Sequence, residues 1–429
     1  MHTTNMDLSL DEITKIEGTA QVDIQVRDGQ VTQCHFAITE MRRFFEEAVR
    51  GKNVTALPHL LARICGTCSN AHLLASLTSV ENGLGITISD QTQLLRKLLT
   101  YGLMIRDHGL HLYVFVLPDL YHRDSILAFD ENNPVEHEML HDCFAVKEAG
   151  NKLSIISGGR SVHAPNVAVG GFNVLPKKED LLALIPILQE IRPRVLRLID
   201  VFLNCPFELI ENLKYLALDD REYSFLSGSL KTSDGAIIPA ADFEKNLICP
   251  IIPYSQASGC LFMGNIHMVG ALARMNLNRD ALHTKTKQDA AISLERFPSK
   301  NIFHNNLAQA IEMLHAIDAS LDLIPKYEAL AEKPIAFQPK EAIGIGLIEA
   351  PRGVLYHRAE MSADGKITKN KVIVPTGENQ IGIENSIRQY VSTNMDKSKE
   401  ELTVEIQKVI RAYDPCMSCA THFLKMNWS

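Results

Sequence analysis

The chain closes on YDPCMSCATHFLKMNWS, residues 413–429, and a matching pair of cysteines stands near its other end in RICGTCSNAH, residues 63–72. Cys65 and Cys68 in the second stretch, like Cys416 and Cys419 in the first, are spaced as CxxC. How these four thiols are read decides the fold, because most of the chain lies between them. Zinc ribbons place their two pairs about 15–20 residues apart. A loop as long as this one suits a centre that ties a whole domain together. Arg63 precedes the first pair and Arg411 the second, and positive charge with helix-end amides favours the thiolate that metals bind. Spacing alone leaves structural zinc and a soft, redox-active transition metal equally open.

Composition narrows the setting. The 429 residues are 46% hydrophobic and 22% charged with a net charge of −8, which suits a globular chain with a sizeable core. No basic run or aromatic-studded basic face points to nucleic acid. No segment reaches the roughly 18 uncharged apolar residues of a membrane span. The longest candidate, residues 101–120, is broken by Arg106, Asp107, His108 and His111. The N-terminus lacks the blocks of a signal peptide, so a cytoplasmic protein with no direct membrane span is expected. Nine cysteines without a secretory signal argue for thiols or metal ligands over disulfides. Cys34, Cys143, Cys205, Cys249 and Cys260 stand alone in sequence and are expected as buried, unreactive thiols.

Local patterns place the motifs. Residues 19–38 read as a hairpin turning at Asp28-Gly29, and MRRFFEEAVRGK, residues 41–52, as a helix stopping at Gly51. Residues 69–84 look helical, with Gly83 and Gly85 as stop signals, so the first cysteine pair falls where that helix begins. Leu94, Leu95, Leu98, Leu99 and Leu103 mark a long helix running towards Val116 and ending at Pro118. Residues 180–330 carry a mostly helical pattern, interrupted near 227–240. GIGLIEAPRGVLYHRAEM and GKITKNKVIVPT read as strands. Ser398 and Glu401 form a capping box for a last helix with an apolar stripe at Leu402, Ile406, Val409, Ile410 and Tyr413, ended by Pro415. No repeat or low-complexity linker appears. The expectation is one interlocked unit over 1–422, predominantly helical α+β, with 423–429 as an extension.

The residues flanking the cysteines go further than their spacing. RICGTC with His72, and DPCMSCATH, resemble the paired signature of the large, catalytic subunit of nickel–iron hydrogenases. KIEG, RFFEEAVRGK, RDHGLHLY, GGRSVHAPNVAVGGF, VGALAR and EAPRGVLYH follow in the order of that family. The resemblance implies that family's fold, a central helical bundle with small peripheral sheets, and reversible heterolytic cleavage of H2. It implies a nickel–iron centre with carbon monoxide and cyanide on the iron, and no iron–sulfur cluster in this chain. Cys65 and Cys416 match the terminal nickel ligands, and Cys68 and Cys419 the nickel–iron bridges. Cys416 matches the first proton acceptor and Glu17 the second; read without the family, Glu17 is a solvated turn residue. Arg352 matches the arginine over the open metal position, held by Asp107 and Asp414 with Pro351 beside it. His72 matches a histidine donating to a bridging thiolate, and His163 a structural one. His422 and Glu46 match the ligands of a magnesium (or iron) ion, with Glu47 the neighbouring candidate disfavoured by its spacing to Cys65.

The resemblance also implies partners. An iron–sulfur small subunit would take the electrons. The short chain and the DPCMSCATH wording resemble multi-subunit cytoplasmic members that serve NAD(P) through flavin, a ferredoxin or a heterodisulfide-type partner. A maturation peptidase would remove residues 423–429 once nickel-loading factors have acted. Two departures stand out: Phe44 where a glycine is usual, and a chain shorter than the membrane-associated forms. The rival readings are the homologous respiratory complex I subunit, which lacks the cysteine pairs, and a zinc-stapled scaffold without catalysis.

Overall fold

Residues 5–422 are described, in a computed structural model of the protein; the extension 423–429 lies outside them. Three antiparallel strands open the fold: β1 (Met6–Leu10), β2 (Ala20–Arg27) and β3 (Gln30–Ile38). Ala20, Val22, Ile24 and Val26 are buried in alternation, the period of a sheet covered on one face. Asp28 and Gly29 both have positive φ, as a two-residue hairpin turn of this kind requires.

The segment read as a helix from 41 to 51 is helical only over Phe45–Ala48. Its backbone is engaged elsewhere: Arg43 N–H donates to the Thr421 carbonyl at 2.9 Å and Phe45 N–H to that of His422 at 3.1 Å. The chain's early residues are tied to its last ones. After Cys68 comes α1 (Ser69–Leu84), closed by Gly85 in the left-handed region as its stop signal predicts. Next is α2 (Asp90–Gly109), capped by Ser89. It continues through a π-helical stretch, Leu110–Val116, into Leu117–Leu120. Pro118 therefore does not end the helix as expected; it lies inside the helical run, directly after the π-helical stretch.

The helices α3 (Pro134–Gly158), α4 (Leu184–Leu203) and α5 (His304–Leu323) complete the bundle. α2 packs on α3 and α5, and α5 on α4. Between α4 and α5 the expected helical pattern holds only for the later part, Ala271–Asn278, Thr284–Asp289 and Ala291–Leu294; the earlier part differs. From β4 (Lys214–Asp219) to His267–Met268 it forms a four-stranded sheet, with a separate two-stranded piece, Leu247–Ile248 against Leu261–Phe262. Short apolar runs such as YLAL, residues 215–218, suit a buried strand as well as a helical turn, and periodicity cannot separate the two. That two-stranded pairing corrects a second expectation. Ile248 lies opposite Leu261, so Cys249 and Cys260, the next positions, face each other and form a disulfide. Cys34 and Cys143 are buried thiols, and Cys205 is half-buried.

The last third builds β5 (Ala342–Ala350), β6 (Gly353–Met361) and β7 (Ile367–Ile373), then α6 (Pro375–Thr393) and α7 (Lys399–Ala412). α1 lies directly on β5: a Cβ at Gly344 or Gly346 would collide with the carbonyl oxygens of Ser79 and Ala75. Ala350 pairs with Gly353, which leaves Pro351 and Arg352 as a two-residue turn. Gly353 has φ +132°, and a Cβ there would lie 2.6 Å from a Val269 methyl, so the turn is clamped from behind. The Ser398–Glu401 capping box is present on α7. One apolar core runs from Met6 to Ala420, with a smaller cluster between the four-stranded sheet and β5–β7. Among the described residues no helix is long and apolar enough to cross a membrane.

Candidate metal centre

Cys65 ends a 3-10 turn and Cys68 directly precedes α1; Cys416 directly precedes the short helical turn Met417–Ala420 and Cys419 lies within it. Although 351 residues apart in sequence, Cys65 and Cys416 have their sulfurs 3.4 Å apart, and Cys68 and Cys419 theirs 3.1 Å apart. Cys416 and Cys419 are 3.0 Å apart, and all four ligand atoms lie within 4.8 Å of one another. All four residues are buried. Thiolates about 2.3 Å from a single ion stand about 3.8 Å apart in a tetrahedron, so this set closes around one metal position. Burial pushes Cys416 and Cys419 well above the ordinary thiol value. Cys65 is held well below it, because the Cys416, Cys419 and Cys68 thiols hydrogen-bond to it.

Several contacts hold the two loops together. Met417 N–H donates to the Glu17 carbonyl at 3.0 Å, and Cys416 N–H to Thr376 Oγ1 at 2.9 Å. Arg43 bridges both cysteine segments, its Nη2 lying 2.7 Å from the Ile64 carbonyl and 3.1 Å from that of Ser418. Arg106 tethers the first loop through the carbonyls of Thr67 and Ser161. Both arginines stand in motifs quoted above, but targets that are main-chain carbonyls leave no trace in sequence.

Glu17 is half-buried rather than a solvated turn residue. Its Oε2 lies 3.1 Å from Cys416 Sγ and accepts from Ser418 N–H at 3.0 Å, while Oε1 accepts from Ser418 Oγ at 2.6 Å. Arg352, at the clamped turn beside Pro351, donates through Nη1 to Asp107 Oδ2 at 2.8 Å. Its Nη2 is 3.0 Å from Asp414 Oδ1, an ion pair without hydrogen-bond alignment. Burial works against this cation, but Asp107 and Asp414 outweigh it and hold the guanidinium well above its ordinary value. Arg352 Nε and Asp107 Oδ1 have no hydrogen-bond partner among the described residues.

His72 Nε2 lies 3.5 Å from Cys419 Sγ and its Nδ1 3.1 Å from Nε2 of His357, a histidine the sequence reading did not single out. Burial pushes His72 down to about 3, so the ring is neutral and hands one N–H along this line. His422 Nε2 is 2.9 Å from the Val372 carbonyl and 3.7 Å from Glu46 Oε1. Burial opposes ionisation of Glu46, yet His422, the Val372 N–H and Lys371 hold it below the ordinary carboxylate value. The two side chains share a cavity with Lys371, Ala420 and the Cys249–Cys260 disulfide. Glu47 is exposed and pairs with Arg50. His163 has φ +56° and donates its main-chain N–H to Ser69 Oγ at the start of α1.

This architecture has known counterparts. A family model described as nickel-dependent hydrogenase matches residues 43–141 and 254–422, which contain all four cysteines. The chain is 31% identical to the sulfhydrogenase 1 subunit alpha of Pyrococcus furiosus, over 98% of this chain and 99% of that one. It is 27% identical to the NAD-reducing hydrogenase HoxS subunit beta of Cupriavidus necator, over 97% and 95%. A solved NAD+-reducing NiFe hydrogenase in the H2-reduced state matches with a TM-score of 0.87 at 23% identity, over 98% of this chain and 100% of that one. A NiFeSe hydrogenase from Desulfovibrio vulgaris Hildenborough gives 0.77 at 19%, with the same coverage. These structures establish the large-subunit fold, and the four-cysteine cluster is consistent with a nickel–iron site. The chain belongs to the nickel-dependent hydrogenases, as the large subunit that activates H2 at a nickel–iron site.

Proposed function

We propose that Cys65, Cys68, Cys416 and Cys419 hold the nickel–iron centre, with Cys68 and Cys419 as bridges and carbon monoxide and cyanide on the iron. The observation that carries this is the mutual contact of four buried sulfurs drawn from opposite ends of the chain. Bound there, the centre supplies a soft, redox-active Lewis acid on which H2 is cleaved heterolytically. Cys416 Sγ takes up the proton and Glu17 Oε2, 3.1 Å away, receives it. Ser418, bonded to both carboxylate oxygens, fixes the direction of that transfer. Arg352, anchored on Asp107 and Asp414, points rigid donors over the site, with Nε unspent on the protein. Glu46, His422 and the Val372 carbonyl form the magnesium site.

Among the described residues the four cysteines are the one converging group of three or more His, Cys, Asp or Glu side chains, and electrons leave through an iron–sulfur small subunit. Further subunits pass them to NAD(P) through flavin, to a ferredoxin or to a heterodisulfide-type acceptor, and alpha and beta subunits among the relatives support such an assembly. Residues 1–422 act as one catalytic unit in the cytoplasm, and a peptidase removes 423–429 after nickel insertion.

Anaerobic copurification tests this reading. Nickel and iron at about one each per chain, infrared bands of carbon monoxide and cyanide, H2-dependent dye reduction and a mature mass ending at His422 are expected. Zinc as the sole metal would refute it.

A further inference from the structure

Behind Arg352 lies a polar pair that the site as described does not use. Gln309, fully buried on α5, donates through Nε2 to Asp414 Oδ2 at 2.9 Å. Its Oε1 is 2.6 Å from Nδ1 of His111, a buried residue in the π-helical stretch one turn beyond Asp107. The other ring nitrogen, Nε2, is 2.8 Å from the Arg411 carbonyl, three residues before Asp414. The Gln309 amide cannot be reversed, because its oxygen would then face a carboxylate. Both histidine nitrogens therefore meet oxygens that only accept, and both must carry hydrogen.

We propose that His111 and Gln309 form a strut that fixes Asp414, and through it Arg352, with His111 held as a doubly protonated imidazolium. The inference rests on the role given to Arg352 above. A carboxylate also stands near the ring, His111 Nε2 lying 3.9 Å from Asp414 Oδ1. Burial, with Arg352 adding to it, pushes His111 below the ordinary imidazole value against the pull of Asp414, Gln309 Oε1 and the Arg411 carbonyl, so the case for the imidazolium is the hydrogen-bond geometry. Losing either ring proton would set a lone pair against an oxygen at hydrogen-bond distance, and this geometry decides the balance. The strut gives Asp414 one orientation: Oδ2 is occupied by Gln309, and Oδ1 is left for Arg352. His111 and Gln309 are positioning residues, since neither touches the sulfurs.

The test uses the complete enzyme complex. Wild-type nickel content and dye reduction check the proposed site separately. Gln309→Glu is isosteric, but above neutral pH it sets a carboxylate against Asp414. With nickel at the wild-type level, kcat for H2 oxidation at pH 8 should fall about ten- to a hundredfold with KM little changed. The cyanide infrared bands should shift. As the pH is lowered towards 6 the new carboxyl takes up a proton, donates to Asp414 and restores activity. Gln309→Leu should show the loss without the recovery. Wild-type kinetics and bands in Gln309→Glu, or a loss that pH does not relieve, would overturn the proposal. His111→Asn, which cannot serve both acceptors, should lower kcat similarly; wild-type kinetics there would overturn it whatever Gln309→Glu does. Loss of nickel from both variants would assign the pair to assembly and overturn the positioning role.

Discussion

Arg43→Met removes the guanidinium that joins the two cysteine loops while keeping an apolar stem of similar length. In the wild type, Arg43 Nη2 donates to the carbonyls of Ile64 at 2.7 Å and Ser418 at 3.1 Å, one residue before Cys65 and Cys419. Hydrogen bonds from a charged donor contribute about 1.5–3 kcal/mol each. Both carbonyls regain water when the loops part, so about 2–3 kcal/mol for the pair is a fair working figure. That corresponds to a 30- to 140-fold rise in the population of chains with the loops apart, at about 1.4 kcal/mol per factor of ten. Iodoacetamide labelling of the metal-free chain reads that population, because Cys65 and Cys416 are 1% and 0% exposed and react only after local opening. Labelling of both should accelerate by that factor, and Cys34 and Cys143, buried elsewhere, serve as internal controls. Rates within twofold of wild type at Cys65 and Cys416 would refute the clasp. Equal acceleration at all four would assign Arg43 to global stability instead.

Glu17→Gln keeps the size of the side chain and removes the carboxylate that receives the proton, so kcat should drop about 10²- to 10⁴-fold with nickel unchanged; a loss below threefold would exclude Glu17 from the proton path. Arg274 is buried and serves two carboxylates, bonding Glu312 at 2.6 and 2.8 Å and Glu349 at 2.7 Å, and it also holds the carbonyls of Ala350 and Pro351 beneath the Arg352 turn. Arg274→Met strands the buried charge of Glu312 and should cost about 3–5 kcal/mol in chemical denaturation; a cost below about 1 kcal/mol would contradict this. Between those carboxylates, Glu312 takes the ion pair and sits at about 2, Arg274 outweighing the effect of burial, while burial pushes Glu349 up to about 7. Glu349 is thus raised above its ordinary value of about 4.3. The stability it contributes is complete below that pH and is lost as pH rises through about 7. Urea midpoints of the metal-free chain at pH 5, 6 and 7 should decline less in Glu349→Gln than in wild type; parallel declines would show that Glu349 does not titrate there.

Elements whose information is local were legible from sequence. The Asp28-Gly29 hairpin needs only alternation and a residue pair that accepts positive φ. α1 needs only an apolar run and Gly85, and α7 a serine three residues before a glutamate. The two CxxC pairs with their flanking residues were enough to indicate the family and the candidate ligands. Legibility failed where the decisive partner lay far along the chain or was main chain. The strands between 214 and 268 pair with one another through hydrogen bonds that short apolar runs do not announce. Cys249 and Cys260 meet because Ile248 happens to lie opposite Leu261.

What the sequence by itself determined is therefore the inventory: which thiols, carboxylates and guanidinium are available, and in which short helices, turns and strands each is held. Only the tertiary structure decided which of them meet. It brought Cys65 against Cys416, set Glu17 3.1 Å from a sulfur, and gave Arg43, Gln309 and His111 tasks that their neighbours in sequence do not suggest. The physical reason is that such contacts are made after collapse, between groups hundreds of residues apart. Many of their acceptors are backbone carbonyls, which every residue carries and no sequence pattern distinguishes.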